Sequence, residues 1–142
     1  MQKTILALIL NLCLLTVTSA FASPHANVTE NEASLNFPES ATFRATVTSD
    51  SEIQSIVLEY GNEGQTCGEV IAKAFPQFTP DKTVNVEWTW EMRQSGSLPP
   101  GATLWWRWRV IDAAGNETVS ETKTIIWLDD IHDWQSINNG DF

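Results

Sequence analysis

The segment Leu98–Asn116, LPPGATLWWRWRVIDAAGN, constrains the fold more than any other part of the chain. It begins and ends at turn signals, and the residues between them alternate with the two-residue period of a β-strand. Side chains of a strand point alternately to its two faces. One face is wholly apolar, with Leu104, Trp106, Trp108 and Val110, and the other carries Trp105, Arg107, Arg109 and Ile111. The pattern predicts a central strand with one face on a core and the other near water.

Other segments alternate in the same way. Val84–Met92 is the most regular of them, and its period of two excludes a helix. Further strands are predicted at Ala41–Thr48, Ile53–Tyr60 and Val119–Leu128, with a weaker strand or crossover at Gly68–Phe75 and a short first strand at Leu35–Phe37. About seven short strands with turns between them predict an all-β sandwich of two sheets. The tryptophans expected in its core are Trp88, Trp90, Trp106 and Trp108.

The first 22 residues have the pattern of a secretory signal peptide. Lys3 is the only charge among them, an apolar run follows, and Ala20-Phe21-Ala22 fits the small-x-small cleavage rule. We therefore expect cleavage after Ala22 and a secreted or extracytoplasmic protein, the alternative being an N-terminal membrane anchor. The rest of the chain is predicted to comprise a polar arm at 23–34, the sandwich at 35–128 and a C-terminal linker at 129–142.

The charge balance excludes two classes of partner. The chain has 18 acidic and 8 basic residues, a formal net charge of −10. Such a surface repels the phosphates of nucleic acids and the headgroups of anionic lipids. We therefore expect no nucleic-acid partner and, for the mature form, no membrane partner.

The residues that could carry catalysis or bind a metal do not form a recognisable site. Cys67 is the only cysteine after the predicted cleavage point, so no internal disulfide is expected. A cysteine nucleophile would need a histidine base, and His25 and His132 lie near the two ends of the chain. Three carboxylates lie in the linker, namely Asp129, Asp130 and Asp133. We interpret them as solvated side chains rather than as ligands of a calcium ion. No cofactor and no enzymatic activity are expected.

The organising segment resembles the sixth strand and following hairpin of fibronectin type III and related immunoglobulin-like domains. Those domains carry a Leu-x-Pro-Gly-Thr turn, an aromatic-rich strand and an Asp-x-x-Gly-Asn hairpin. The matching residues are Leu98, Pro100, Gly101, Thr103, Asp112, Gly115 and Asn116. Ala102 is an extra residue, and tryptophans stand where tyrosines are usual. The resemblance implies the same immunoglobulin-like sandwich. It also implies that the family's tyrosine-corner hydrogen bond is absent, because no tyrosine stands at the usual position.

A second resemblance covers more of the chain. The Trp-rich strand, combined with the run IIWLDD at 125–130 and then His132, Trp134 and Gln135, is similar to the N-terminal region of secreted bacterial proteins of the peptidase MA-like metallohydrolase type. In those proteins a sandwich precedes a zinc peptidase domain with a His-Glu-x-x-His motif. This sequence contains no such motif, so no catalytic or metal-binding residue can be carried over. The resemblance implies a truncated or stand-alone accessory domain.

Two functions follow from these observations. The first is a non-catalytic extracytoplasmic module that positions a neighbouring catalytic domain or binds another extracytoplasmic protein. The alternative is a carbohydrate-binding module that contacts a polysaccharide through exposed tryptophans. With four tryptophans in the core, the possible platforms are Trp105, Trp127 and Trp134. The candidate surface-binding residues are Trp105, Arg107, Arg109 and Trp134.

Overall fold

A computed structural model describes residues 26–64 and 71–129 of the chain. These ranges hold eight β-strands and one helical turn. The strands are β1 (Ala26–Asn36), β2 (Ser40–Ser49), β3 (Ile53–Glu63), β4 (Ala72–Ala74), β5 (Thr83–Glu91), β6 (Thr103–Asp112), β7 (Glu117–Val119) and β8 (Lys123–Ile126), and the helical turn is α1 (Met92–Ser95).

The strands form two antiparallel sheets. One sheet has three strands in the order β1-β2-β5, and the other has five, in which β4, β3 and β6 are neighbours and both β7 and β8 pair with β6. The first, second and fifth strands therefore share one sheet while the third, sixth and last share the other, as in immunoglobulin-like sandwiches. The predicted fold class is confirmed. The last predicted strand, Val119–Leu128, is divided into β7 and β8.

The inner faces of the two sheets enclose the core, in the alternation that the sequence predicts. Trp106 and Trp108 are 3% and 0% exposed, so their predicted burial is confirmed. Trp88 and Trp90 pack against the core but are only partly buried, because β5 lies at the edge of its sheet. The largest fully buried side chains include Trp108, Trp127, Phe43, Ile53, Leu58, Met92 and Leu104.

The predicted polar arm at 23–34 is wrong from Ala26 onward, where β1 begins. Its polar composition is that of an edge strand, which pairs with β2 alone and turns most of its side chains toward water. The pairing register shifts between Thr29 and Glu32, and Glu30 within this bulge has φ 46°. A bulge bends the strand and redirects a side chain. Here it accompanies a buried polar residue, Asn31, which is 7% exposed.

Asn31 connects the two sheets through hydrogen bonds. Its Oδ1 accepts from Nε1 of Trp106 at 2.7 Å and from Nε1 of Trp108 at 3.0 Å. Its backbone oxygen accepts from Nζ of Lys123 at 2.6 Å. A buried indole N–H without an acceptor costs free energy, so this one side chain allows two core tryptophans to be buried.

Trp127 is a further correction, because it is not an exposed platform. The side chain is fully buried, with its ring centroid 5.2 Å from that of Phe37. Its backbone nitrogen donates to the Ala102 oxygen and its oxygen accepts from the Gly101 nitrogen, both at 2.8 Å. These bonds tie the chain after β8 to the turn before β6, which fixes the indole in the sandwich.

Several sequence predictions fall outside the described residues. They are the signal peptide at 1–22, Cys67, and the linker residues Asp130, His132, Asp133 and Trp134. Within residues 26–64 and 71–129, no helix has the length and apolar character needed to cross a membrane.

Candidate functional site

Strand β6 places three of the four candidate binding residues on one surface. Trp105, Arg107 and Arg109 lie on the side of the five-stranded sheet that faces away from the core, which we call the outer face. The antiparallel register sets Gly61 of β3 opposite Trp105 and Glu59 opposite Arg107. Trp134, the fourth candidate, lies outside the described residues, so the structure brings together three of the four.

Glu59 accepts hydrogen bonds from the two arginines while it is itself buried. Its side chain is 2% exposed, and its Oε2 accepts from Nε of Arg107 at 2.7 Å while its Oε1 accepts from Nε of Arg109 at 3.0 Å. Lys73 of β4 approaches the same carboxylate at 3.5 Å, and Arg109 also pairs with Glu117 of β7. The arginine side chains are 29% and 30% exposed, so they form an ordered charge network rather than a freely solvated surface.

The network holds Glu59 in its ionised form. Hydrogen bonding from Arg109, and then from Arg107, lowers the pKa of this carboxyl from 4.5 to about 2, although burial opposes the shift. The same contacts with Glu59 and Glu117 raise the pKa of Arg109. The ionised carboxylate accepts hydrogen bonds from both arginines. Its role is to hold the arginines in place.

Trp105 lies against the backbone of β3 because its neighbour has no side chain. A Cβ atom on Gly61 would come within 2.8 Å of the indole Nε1 and 3.0 Å of two ring carbons. The guanidinium carbon of Arg107 lies 6.0 Å from the Trp105 ring centroid, at the limit of a cation–π contact. The indole is partly exposed. The sheet therefore presents a tryptophan that contacts fixed backbone and an ordered cation.

The rim of the outer face is apolar on the side of β7 and β8. Val119 is 40% exposed and pairs with Arg109 in register, and Ile126 is 53% exposed opposite Thr103. Leu128, just beyond β8, is 42% exposed. Apolar surface next to an ordered polar network is typical of a surface that contacts another molecule.

The outward side of the three-stranded sheet has a different chemistry. It carries an open groove of about 470 Å³ whose polar side chains bond to one another. Arg44 donates to Glu87 at 2.6 Å, and the Thr46 hydroxyl lies 2.7 Å from a Glu30 oxygen and 2.8 Å from the Asn85 side chain. No aromatic residue lines this groove. Across the described part of the chain, no cluster of three or more His, Cys, Asp or Glu could hold a metal ion.

Sequence reasoning missed the residues that organise the outer face. Glu59, Lys73, Glu117 and Gly61 were not candidates, because their role depends on which residue lies opposite them on β6. Two arginines on one face of a strand indicate that carboxylate partners lie nearby. Only the pairing register of the strands identifies which residues those partners are.

Comparison with known proteins gives one structural likeness. No protein-family model matches the chain, and no curated protein matches it. Among solved structures, the chain is similar to a Br derivative of the carbohydrate-binding module BhCBM56, with a TM-score of 0.46 and 10% sequence identity. The likeness covers 74% of this chain and 95% of that one. The comparisons do not support the resemblance to the N-terminal region of peptidase MA-like proteins.

Proposed function

We propose that the chain is a non-catalytic extracytoplasmic module that binds polysaccharide through the outer face of the five-stranded sheet. The observation that carries the proposal is the placement of Trp105, whose partly exposed indole lies against Gly61 beside Arg107. Aromatic rings bury a large apolar area, and the C–H face of a sugar ring can stack on such a surface. Arg107 supplies hydrogen-bond donors next to the ring.

The charge network orders the surface before any ligand binds. Glu59 and Glu117 are the carboxylates that contact the candidate arginines, and a pKa of about 2 keeps Glu59 ionised. The arginines donate to this carboxylate and are held in place before any ligand arrives. Ordering side chains in advance reduces the conformational entropy lost on binding. The extracytoplasmic location rests on the signal-peptide pattern at 1–22.

Affinity electrophoresis tests the proposal. Wild-type protein and Trp105→Ala are run in gels containing soluble glucans, xylan, galactomannan or starch, with Asn85→Ala on the opposite side of the sandwich as a control. We expect at least one polysaccharide to retard the wild type and the control, and Trp105→Ala to migrate as in an empty gel. Equal retardation of all three proteins, or no retardation in any gel, would contradict the proposal.

A second function has its own supporting observation. Ile126 and Leu128 are 53% and 42% exposed where the chain leaves the sandwich, and the segment that follows contains Ile131, Trp134 and Ile137. Exposed apolar side chains at a domain exit are suited to packing against a neighbouring domain. The module would then be an accessory domain that positions a catalytic neighbour or binds another extracytoplasmic protein.

The resemblance to peptidase MA-like proteins names a zinc peptidase domain as that neighbour. The coding sequence downstream of Phe142 tests this version of the function. A reading frame with a His-Glu-x-x-His motif there, or its remnant after a stop codon, would support it. An unrelated gene in that position, together with hydrolase activity in the purified chain, would contradict it.

A further inference from the structure

Phe75 is the most exposed large hydrophobic residue in the described part of the chain. Its side chain is 63% exposed, more than that of Ile126 or Leu128. It directly follows β4, in which Ala74 is buried and Lys73 reaches the Glu59 carboxylate. Alternation continued one residue beyond the end of β4 sets Phe75 on the same side as Lys73. We therefore place it at the β4 edge of the outer face.

A groove of about 240 Å³ lies beside Phe75. The buried side chain of Ile56, which is 2% exposed, lies among its lining residues. Its polar lining consists of Gln54, Ser55 and Gln77, which bring two amides and a hydroxyl next to the aromatic ring. Amides and hydroxyls donate and accept hydrogen bonds without carrying charge. An aromatic ring beside such groups matches a ligand with a C–H face and many hydroxyls.

The strand register fixes the separation between Phe75 and Trp105. Leu58 pairs with Ala74, so the same register continued by one residue sets Phe75 level with Val57, whereas Trp105 pairs with Gly61. Four residues along β3 and two strand spacings across the sheet place the two aromatic positions about 16 Å apart. That distance exceeds one sugar ring, so a ligand that reaches both residues must be a chain of sugars.

The charges between the two aromatic positions favour a neutral chain. Lys73, Arg107 and Arg109 all pair with Glu59, and Arg109 also pairs with Glu117. The two carboxylates offset two of the three cations, and the net charge of −10 on the whole chain repels an acidic polymer. The N–H groups of Lys73 and Arg107 that do not bond to Glu59 can donate hydrogen bonds to hydroxyl groups of the sugar chain.

We propose that Phe75, with Gln54 and Gln77, forms a second sugar-binding subsite, and that one neutral polysaccharide chain runs diagonally across the outer face from Trp105 to Phe75. This inference rests on the proposed polysaccharide-binding function. It adds a second contact point, a direction for the chain and a minimum ligand length.

Calorimetry with oligosaccharides of increasing length tests the inference. The polysaccharide that retards the wild type is cut into defined fragments, and each is titrated into wild type, Phe75→Ala, Trp105→Ala and the Asn85→Ala control. We expect wild-type affinity to rise once a fragment spans both subsites, and Phe75→Ala to abolish this rise. The affinity of Phe75→Ala for the long fragments should fall roughly tenfold, a loss of about 1.4 kcal/mol. Its affinity for short fragments should match the wild type.

The outcomes separate this inference from the function on which it rests. If Trp105→Ala removes binding and Phe75→Ala binds long fragments as tightly as the wild type, the second subsite is overturned and the polysaccharide-binding function stands. If no polysaccharide binds the wild type, both are overturned. If the wild type is retarded only in a gel that contains an acidic polymer such as polygalacturonate, run beside the neutral ones, the neutral ligand is overturned. Thermal unfolding of each variant confirms that the fold is intact.

Discussion

The outward faces of the two sheets follow the same strand alternation, and both carry ion pairs. The pairs differ in how far their side chains are exposed to water. On the three-stranded sheet, Arg44 and Glu87 form an ion pair in which the side chains are 53% and 56% exposed. On the five-stranded sheet, Glu59 is 2% exposed and joins Arg107 and Arg109, which are about one-third exposed. Water competes strongly with the first pair and weakly with the second.

This difference shows how one sheet acquires a surface suited to recognition. An exposed pair constrains its side chains little, because solvent screens the attraction and long side chains keep their rotamers. A buried carboxylate that accepts from two arginines fixes both, and Arg107 in turn lies by the Trp105 ring. The five-stranded sheet therefore presents an ordered aromatic and cationic surface, and the three-stranded sheet presents a solvated polar one.

The largest expected difference between the two surfaces is in stability. Glu59→Gln keeps the size of the side chain but removes the carboxylate partner of Arg107 and leaves Arg109 with Glu117 alone. We expect it to lower the free energy of unfolding by about 3 kcal/mol. Glu87→Gln breaks the exposed pair with Arg44, and we expect a loss below about 1 kcal/mol. Urea unfolding of both variants measures the two values, and equal losses would show that the surfaces do not differ.

The pH dependence of stability provides a second comparison. The pKa of Glu59 falls from 4.5 to about 2 in the folded protein, so folding favours the ionised form. The stabilisation from this group is therefore complete above pH 4.5 and is lost as the pH falls toward 2. Unfolding free energies measured between pH 5 and about pH 2 should fall more steeply for wild type than for Glu59→Gln. Parallel curves would contradict the assigned pKa.

A smaller effect is expected at Gly61. A methyl group there would come within 2.8 to 3.0 Å of the Trp105 indole, so Gly61→Ala must displace the ring. We expect a loss of about 1–2 kcal/mol and altered Trp105 fluorescence. In a Trp105→Ala background the same substitution should cost almost nothing, because the crowded ring is absent. Equal costs in the two backgrounds would show that Gly61 is not required for the position of the indole.

The sequence alone predicts which side chains of β6 face the core. It does not predict which residues of the neighbouring strands lie opposite them. Alternation alone assigns Trp106 and Trp108 to the core and Trp105, Arg107 and Arg109 to the outer face, and the structure confirms this assignment. The partners of the arginines follow from cross-strand register, which depends on where the turns and bulges fall. Glu59 could therefore not be singled out in advance.

Two predictions are wrong for a related reason: the polar arm at 23–34 and the exposed position of Trp127. In both places the chain departs from the regular two-residue alternation of a strand. The bulge at Glu30 changes the register of β1 and accompanies the burial of Asn31, a residue that composition assigns to a polar arm. After β8 the chain bonds to the turn at Gly101 and Ala102, and these backbone bonds accompany the burial of Trp127. Each is a tertiary contact that no local pattern encodes.

The most direct test of the outer face as the binding surface is the indole N–H region of a ¹H–¹⁵N NMR spectrum during polysaccharide titration. Trp106 and Trp108 donate to Asn31 in the core, whereas Trp105 lies on the outer face, so the three indoles report separately on interior and surface. We expect the Trp105 resonance, assigned by its loss in Trp105→Ala, to shift with saturating ligand while those of Trp106 and Trp108 stay in place. A bound polysaccharide that leaves the Trp105 resonance unmoved would contradict the assignment of the binding surface.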